Sequence, residues 1–249
     1  MKNFFTKKIF SLFFAVIFIA FGVFGTLIVG HYTIYQADTS LEYLYSQAVK
    51  DSMTIEPNEI LPVVEITTGS DMATLNDENE VLLITWHKYP DSYPEGQQIT
   101  LSYGEVWTFT DKEIAAWYDN NSSGVKDWEL RFEQLLGLPY YKEYTYFTAI
   151  WVPVDSIKRP AYSYDIKTDI DTTIFTESDD ESYIEWFNSN IIYSYFESSY
   201  PWTRLGYTYD WADNGTEYGL SEFIVEKDTV ATVEFTYTTD EFLEWLDKQ

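Results

Sequence analysis

The sequence predicts an α+β fold: an antiparallel or mixed β-sheet packed with several short helices and preceded by one N-terminal transmembrane helix. Three observations predict it. The stretch from Ile9 to Gly30 carries no charge, the middle of the chain alternates short apolar runs with Pro, Gly, Asn and Asp turn signals, and two Thr-x-x-Glu sequences open amphipathic segments.

The uncharged run from Ile9 to Gly30 is long enough, as a helix, to reach across the roughly 30 Å hydrocarbon layer of a bilayer. Lys2, Lys7 and Lys8 precede it and hold the N-terminus in the cytoplasm by the positive-inside rule. Ala20-Phe21-Gly22 offers a small-x-small cleavage site, so secretion after signal cleavage is the alternative to a retained single-pass anchor. Residues 31–56 read as a stalk, with Ile34, Leu41, Leu44, Ala48 and Val49 at nearly helical spacing and Pro57 as its stop. Residues 57–249 then form a single acidic extracytoplasmic domain.

Within that domain Pro62–Ile66 and the continuous run Val81–Trp86 read as strands, separated by a polar loop from Gly69 to Glu80. Ile99–Leu101 and Glu105–Phe109 are expected to pair as a hairpin. The capping box Thr110-Asp-Lys-Glu113 starts a helix with Ile114, Trp117 and Tyr118 on one face, and a second helix fits Asp127 to Leu136, stopped by Gly137 and Pro139. Tyr146–Val152 resumes a strand. Pro153 and Pro160 bound a connector, Asp165–Asp180 reads as surface loop, and Glu181–Ser198 forms a helix with Ile184, Phe187, Ile191 and Tyr195 in one stripe. Leu220–Glu226 and Thr229–Tyr237 are expected to form a hairpin about Lys227-Asp228, before a second capping box, Thr238-Thr-Asp-Glu241, opens a C-terminal helix with Phe242, Leu243 and Leu246 inward.

Composition narrows the function. The 249 residues include 41 Asp+Glu against 15 Lys+Arg, for a net charge of −26. Nucleic acid is excluded as a partner, because phosphate binding depends on clustered Lys and Arg. The absence of cysteine removes disulfides, thiolate catalysis, cysteine zinc sites and a lipoprotein anchor. Seventeen Phe, 22 Tyr and 9 Trp supply ample apolar area for a core.

Chemistry-bearing candidates are few. His87 is the only histidine beyond the membrane boundary and would have to serve as any imidazole base. Glu105, Asp210 and Glu222 each stand beside a large aromatic, the pattern a carboxylate-dependent glycan or ester hydrolase would need if two of them faced one cleft. Asp210, Asp213 and Glu217 surround an Asn-Gly turn and are candidate calcium ligands, although their spacing is not that of an EF-hand. Trp202, Arg204, Tyr207, Tyr209 and Trp211 are candidate ligand-binding residues, the aromatics as stacking surfaces and Arg204 as a guanidinium at a pocket mouth.

Trp86-His-Lys-Tyr-Pro-Asp-Ser-Tyr-Pro-Glu-Gly96, Glu105-Val-Trp107, Arg159-Pro160 and above all Pro201-Trp-Thr-Arg-Leu-Gly-Tyr-Thr-Tyr-Asp-Trp211 resemble a group of uncharacterised bacterial exported proteins. The resemblance spans roughly residues 85–225. It implies export and a bacterial source, and no activity. Members of that group tend to carry a cysteine after the Arg-Pro pair, where Ala161 stands here. The expectation is a membrane-anchored extracytoplasmic binding domain that recognises carbohydrate or an envelope protein, without a required cofactor and with calcium as the one candidate ion. The alternatives are a carboxylate-dependent hydrolase and a structural or assembly protein of the envelope.

Overall fold

The computed structural model describes residues 41–249, of which Leu44–Gln249 form one compact unit. The expected membrane span from Ile9 to Gly30 lies outside the described residues; among those described, no helix is long and apolar enough to cross a membrane.

The architecture is α+β, with a seven-stranded antiparallel sheet as its spine. In chain order the strands are β1 (Glu80–His87), β2 (Gln98–Thr100), β3 (Val106–Thr110), β4 (Tyr146–Pro153), β5 (Ile157–Lys158), β6 (Tyr207–Tyr209), β7 (Tyr218–Ser221), β8 (Phe223–Val225) and β9 (Val230–Thr238). The sheet runs β2-β9-β4-β1-β3-β8-β5, and β6 and β7 form a separate pair. Helix α1 covers residues 41–51, followed by α2 (Asp111–Asn121), α3 (Trp128–Leu135), α4 (Glu181–Ile192) and α5 (Thr239–Leu246).

The central strand explains the continuous apolar run. β1 pairs with β4 along its whole length, from Glu80↔Pro153 to His87↔Tyr146, and with β3 on its other edge. Val81 and Leu83 join a core with Ile150, Val152, Phe223, Val225 and Val233, while Leu82, Ile84 and Trp86 join a second core with Phe132, Phe147, Phe235 and Phe242. A strand buried on both faces has no polar side to alternate. Helices α2, α3 and α5 cover the second face; the first is closed by connectors that contribute Ile66, Ala73 and Ile166.

Several expectations change. Neither predicted hairpin forms: β2 pairs with β9 and β3 with β1 and β8, while β8 pairs with β3 and β5 and β9 with β2 and β4. Sequence neighbours therefore take partners from distant parts of the chain. Pro62–Ile66 is not a strand, because its donors go elsewhere: Val63 N–H to Asp169 Oδ1, Val64 N–H to Ser221 Oγ and Ile66 N–H to the Ile166 carbonyl. The Asp165–Asp180 loop buries Ile166 and Ile170. In α1, Tyr45, Ala48 and Val49 are buried, so this helix is part of the packed unit.

The two capping boxes diverge instructively. Thr238 and Glu241 form theirs in full at the start of α5. At α2, Thr110 makes no side-chain cap, and Glu113 turns inward to accept from Ser221 N–H (2.8 Å), Ser221 Oγ (2.9 Å) and Tyr218 OH (3.2 Å). Burial still pushes the Glu113 carboxyl up to about 7 against those hydrogen bonds. Helix α4 ends in a π-helical turn, Tyr193–Glu197. Of the expected stripe Phe187 and Tyr195 are buried, whereas Tyr183 and Ser194 are buried in place of Ile184 and Ile191.

Candidate functional site

A cavity of about 400 Å³ opens where the end of β1, strand β3, the π-helical turn, the segment from Leu136 to Tyr144 and β6 converge. The size is within the range of small-molecule sites. Its walls are aromatic: Trp86, Trp107, Tyr144, Tyr200, Trp202 and Tyr207 all line it. Trp107 and Trp202 meet edge to face at 6.3 Å, and Trp202 packs on Phe187 at 4.8 Å, so the rings are fixed before any ligand arrives. The π-helical turn places Tyr193 and Ser194 on the cavity and Asn190 just before them; such turns recur at functional sites because they redirect side chains.

What separates this cavity from an ordinary packing gap is its polar inventory. Trp86 Nε1, Asn190 Nδ2, Trp202 Nε1 and Glu222 Oε2 are buried without a hydrogen-bond partner among the described residues, and all four residues line the cavity. Buried polar atoms are almost always paired, since leaving one unpaired costs about 1–3 kcal/mol. Desolvation pushes the Glu222 carboxyl up to about 8. It is therefore protonated at neutral pH.

The candidate residues divide. Glu105 and Glu222 share the cavity. Glu105 precedes Val106 at one end of the β3–β8 ladder and Glu222 precedes Phe223, which pairs with Thr108 at the other. Glu105 is exposed at the rim, where Oε2 accepts from Trp186 Nε1 at 3.0 Å. Glu105 and Trp107 are two residues apart, hence on one face of the strand. Asp210 is excluded from the cavity lining: its carboxylate is 2% exposed and takes a two-pronged ion pair from Arg131 at 3.0 and 2.5 Å, plus Ala212 N–H and Asn214 Nδ2. Arg131 in turn stacks on Trp117 at 4.8 Å. This structural fork sets Asp210 apart from Glu105 and Glu222, which line the aromatic cavity.

His87 lines the cavity but both ring nitrogens are taken. Nδ1 accepts the Tyr89 N–H at 3.0 Å, which leaves the proton on Nε2 to be donated to Thr148 Oγ1 at 2.8 Å. Thr148 passes its own proton to Thr236 Oγ1, and Thr236 donates to the Tyr93 carbonyl at 2.7 Å. Burial lowers the imidazole to about 4. The expected base is thus a neutral link tying β1, β4 and β9 to the Tyr93 turn.

Of the expected ligand-binding residues, Trp202, Tyr207 and Tyr209 line the cavity and Arg204 and Trp211 do not. Arg204 is buried, donates to the Ser52 carbonyl at 2.9 Å and lies over the Tyr195 ring at 5.5 Å. It fastens the end of α1. Trp211 Nε1 donates to the Glu133 and Leu138 carbonyls, and its ring packs against Tyr45. Among the described residues, the carboxylates that gather within 4.8 Å of one another are Asp51, Glu59 and Glu217. The Glu217 carboxylate thus converges with Asp51 and Glu59, while its carbonyl accepts from Asp210 N–H at 2.8 Å.

Trp86 and Asn190 carry no local sign of a site in the sequence: Trp86 ends an apolar strand and Asn190 lies on an amphipathic helix. No family model matches the chain, and neither a curated protein nor a solved structure matches it.

Proposed function

We propose that this protein is a carbohydrate-binding domain displayed outside a bacterial membrane on an N-terminal anchor, and that the aromatic cavity is its binding site. The observation that carries the reading is that four residues lining one aromatic-walled cavity each carry a buried polar atom without a partner among the described residues. A sugar presents apolar C–H faces to rings and hydroxyl oxygens to N–H donors, and so meets both halves of that inventory. Among the described residues no lysine or arginine lines the cavity, which favours a neutral glycan over an anionic one. The uncharged run from Ile9 to Gly30, with lysines before it and the acidic residues after it, supports the anchor and the exported location.

A second reading, glycan hydrolysis, draws on Glu105 and Glu222 sharing the cavity, one exposed and one held protonated. The test is binding of the full chain to a panel of neutral oligosaccharides, followed by tryptophan fluorescence and by reducing-end release. Saturable binding that Trp202→Ala abolishes, with no product formed, supports the binding domain. Product formation abolished by Glu222→Gln makes it a hydrolase. Absence of binding to every neutral glycan refutes both.

A further inference from the structure

The unpartnered atoms of the cavity are unevenly divided. Trp86 Nε1, Trp202 Nε1 and Asn190 Nδ2 only donate, whereas Glu222 Oε2 belongs to a carboxyl whose oxygen can accept. A ligand that answers this set brings a strong neutral acceptor for the N–H groups, a donor for the carboxyl, and apolar surface for the rings around them.

One functional group supplies all three. A secondary acetamide has a carbonyl oxygen with two lone pairs, an N–H, and a methyl group. A carboxylate or phosphate would place a desolvated anion beside a carboxyl, with no lysine or arginine among the described residues on the cavity wall. A lone hydroxyl accepts and donates through a single oxygen, a weaker acceptor than an amide carbonyl, and brings no methyl group of its own to the aromatic walls. Resting on the carbohydrate reading above, we propose that the cavity recognises the acetamido group of an N-acetylated sugar: two of the N–H groups of Trp86, Trp202 and Asn190 meet the two lone pairs of its carbonyl oxygen, the third meets a neighbouring sugar oxygen, and Glu222 Oε2 accepts its N–H. Glu105, exposed at the rim and already accepting from Trp186, takes no part in that contact.

The experiment compares chitotriose with cellotriose, two trisaccharides that differ in bearing an acetamido group or a hydroxyl at each 2-position, by titration calorimetry on the full chain. Chitotriose is expected to bind at least about tenfold more tightly, the worth of one or two hydrogen bonds. Glu222→Leu is expected to erase that preference, and Asn190→Leu to reduce it, the second variant serving if the first does not fold. Equal binding of the two sugars overturns the acetamido assignment and leaves the carbohydrate reading standing. Binding of neither overturns both. Binding of N-acetylalaninamide without either sugar also overturns the proposal, by moving the amide specificity to peptides. A preference for chitotriose that survives both variants overturns the residue assignment.

Discussion

Glu222→Gln should make the protein more stable at neutral and alkaline pH, although it replaces a carboxyl that lines the proposed site. In the folded chain, burial raises the Glu222 carboxyl from 4.5 to about 8, and Oε2 has no partner to offset the desolvation of a charge. A carboxyl raised on folding holds its proton in the native state while the unfolded chain releases it. Stability attributable to this group therefore falls as pH rises through 4.5 and levels off above 8. At about 1.4 kcal/mol per unit, the loss relative to pH 4 is about 3 kcal/mol at pH 7 and about 5 kcal/mol above pH 8. Glutamine is nearly isosteric with the protonated acid and does not ionise, so the variant loses none of this. Glu113 and Glu133, also raised to about 7, tilt both proteins alike and cancel in the difference. Urea denaturation at pH 4, 6, 7.5 and 9 should give a stability difference near zero at the acid end that widens in favour of the variant with pH. A difference that stays constant from pH 4 to 9 would refute the reasoning, because it would mean that the carboxyl is not desolvated.

Three further outcomes follow from the packing and charges of the fold. Arg131→Met leaves the buried Asp210 carboxylate without its fork and should lower stability by about 3–5 kcal/mol, with Asp210→Asn recovering part of the loss in the double variant, as read by a double-mutant cycle of urea midpoints. Gly219→Ala would set a methyl 2.2 Å from Thr208 Oγ1 and 2.3 Å from the Leu135 carbonyl oxygen, and should cost about 3 kcal/mol, measured as a drop in Tm with unfolding enthalpy. His87, lowered to about 4 by burial, contributes stability that is full above 6.5 and lost as pH falls towards 4, a difference of about 3 kcal/mol; in His87→Gln that acid slope should disappear from the stability profile.

The parts of the fold legible in the sequence are those decided by local pattern. β1 declares itself as an unbroken apolar run, β9 by the alternation of Ala231, Val233 and Phe235 with polar residues, and α5 by a capping box that forms as written. Strand partners were not legible, because nothing near Gln98 or Val106 specifies that one pairs with β9 and the other with β8. The capping box written at Thr110–Glu113 misleads for a similar reason. Glu113 has a better use, more than a hundred residues away at Ser221, than the N-terminus beside it. For the site, proximity of acid and aromatic in sequence selects Glu105, Asp210 and Glu222 alike. What sets Asp210 apart is Arg131, 79 residues away, and what marks Glu222 is the absence of any such partner. Trp86 and Asn190 become visible only when the fold brings both residues to the lining of one cavity.

The measurement closest to the central claim is a heteronuclear NMR titration of the indole N–H signals of the full chain in detergent with chitotriose. The account predicts that the Trp86 and Trp202 signals, whose N–H groups have no partner in the cavity, shift saturably downfield as they acquire one. The Trp211 signal, whose N–H is already held by the Glu133 and Leu138 carbonyls, should stay in place. If Trp86 and Trp202 remain unmoved while the protein binds sugar through other residues, or if no indole responds to any neutral glycan, the cavity is not the carbohydrate site.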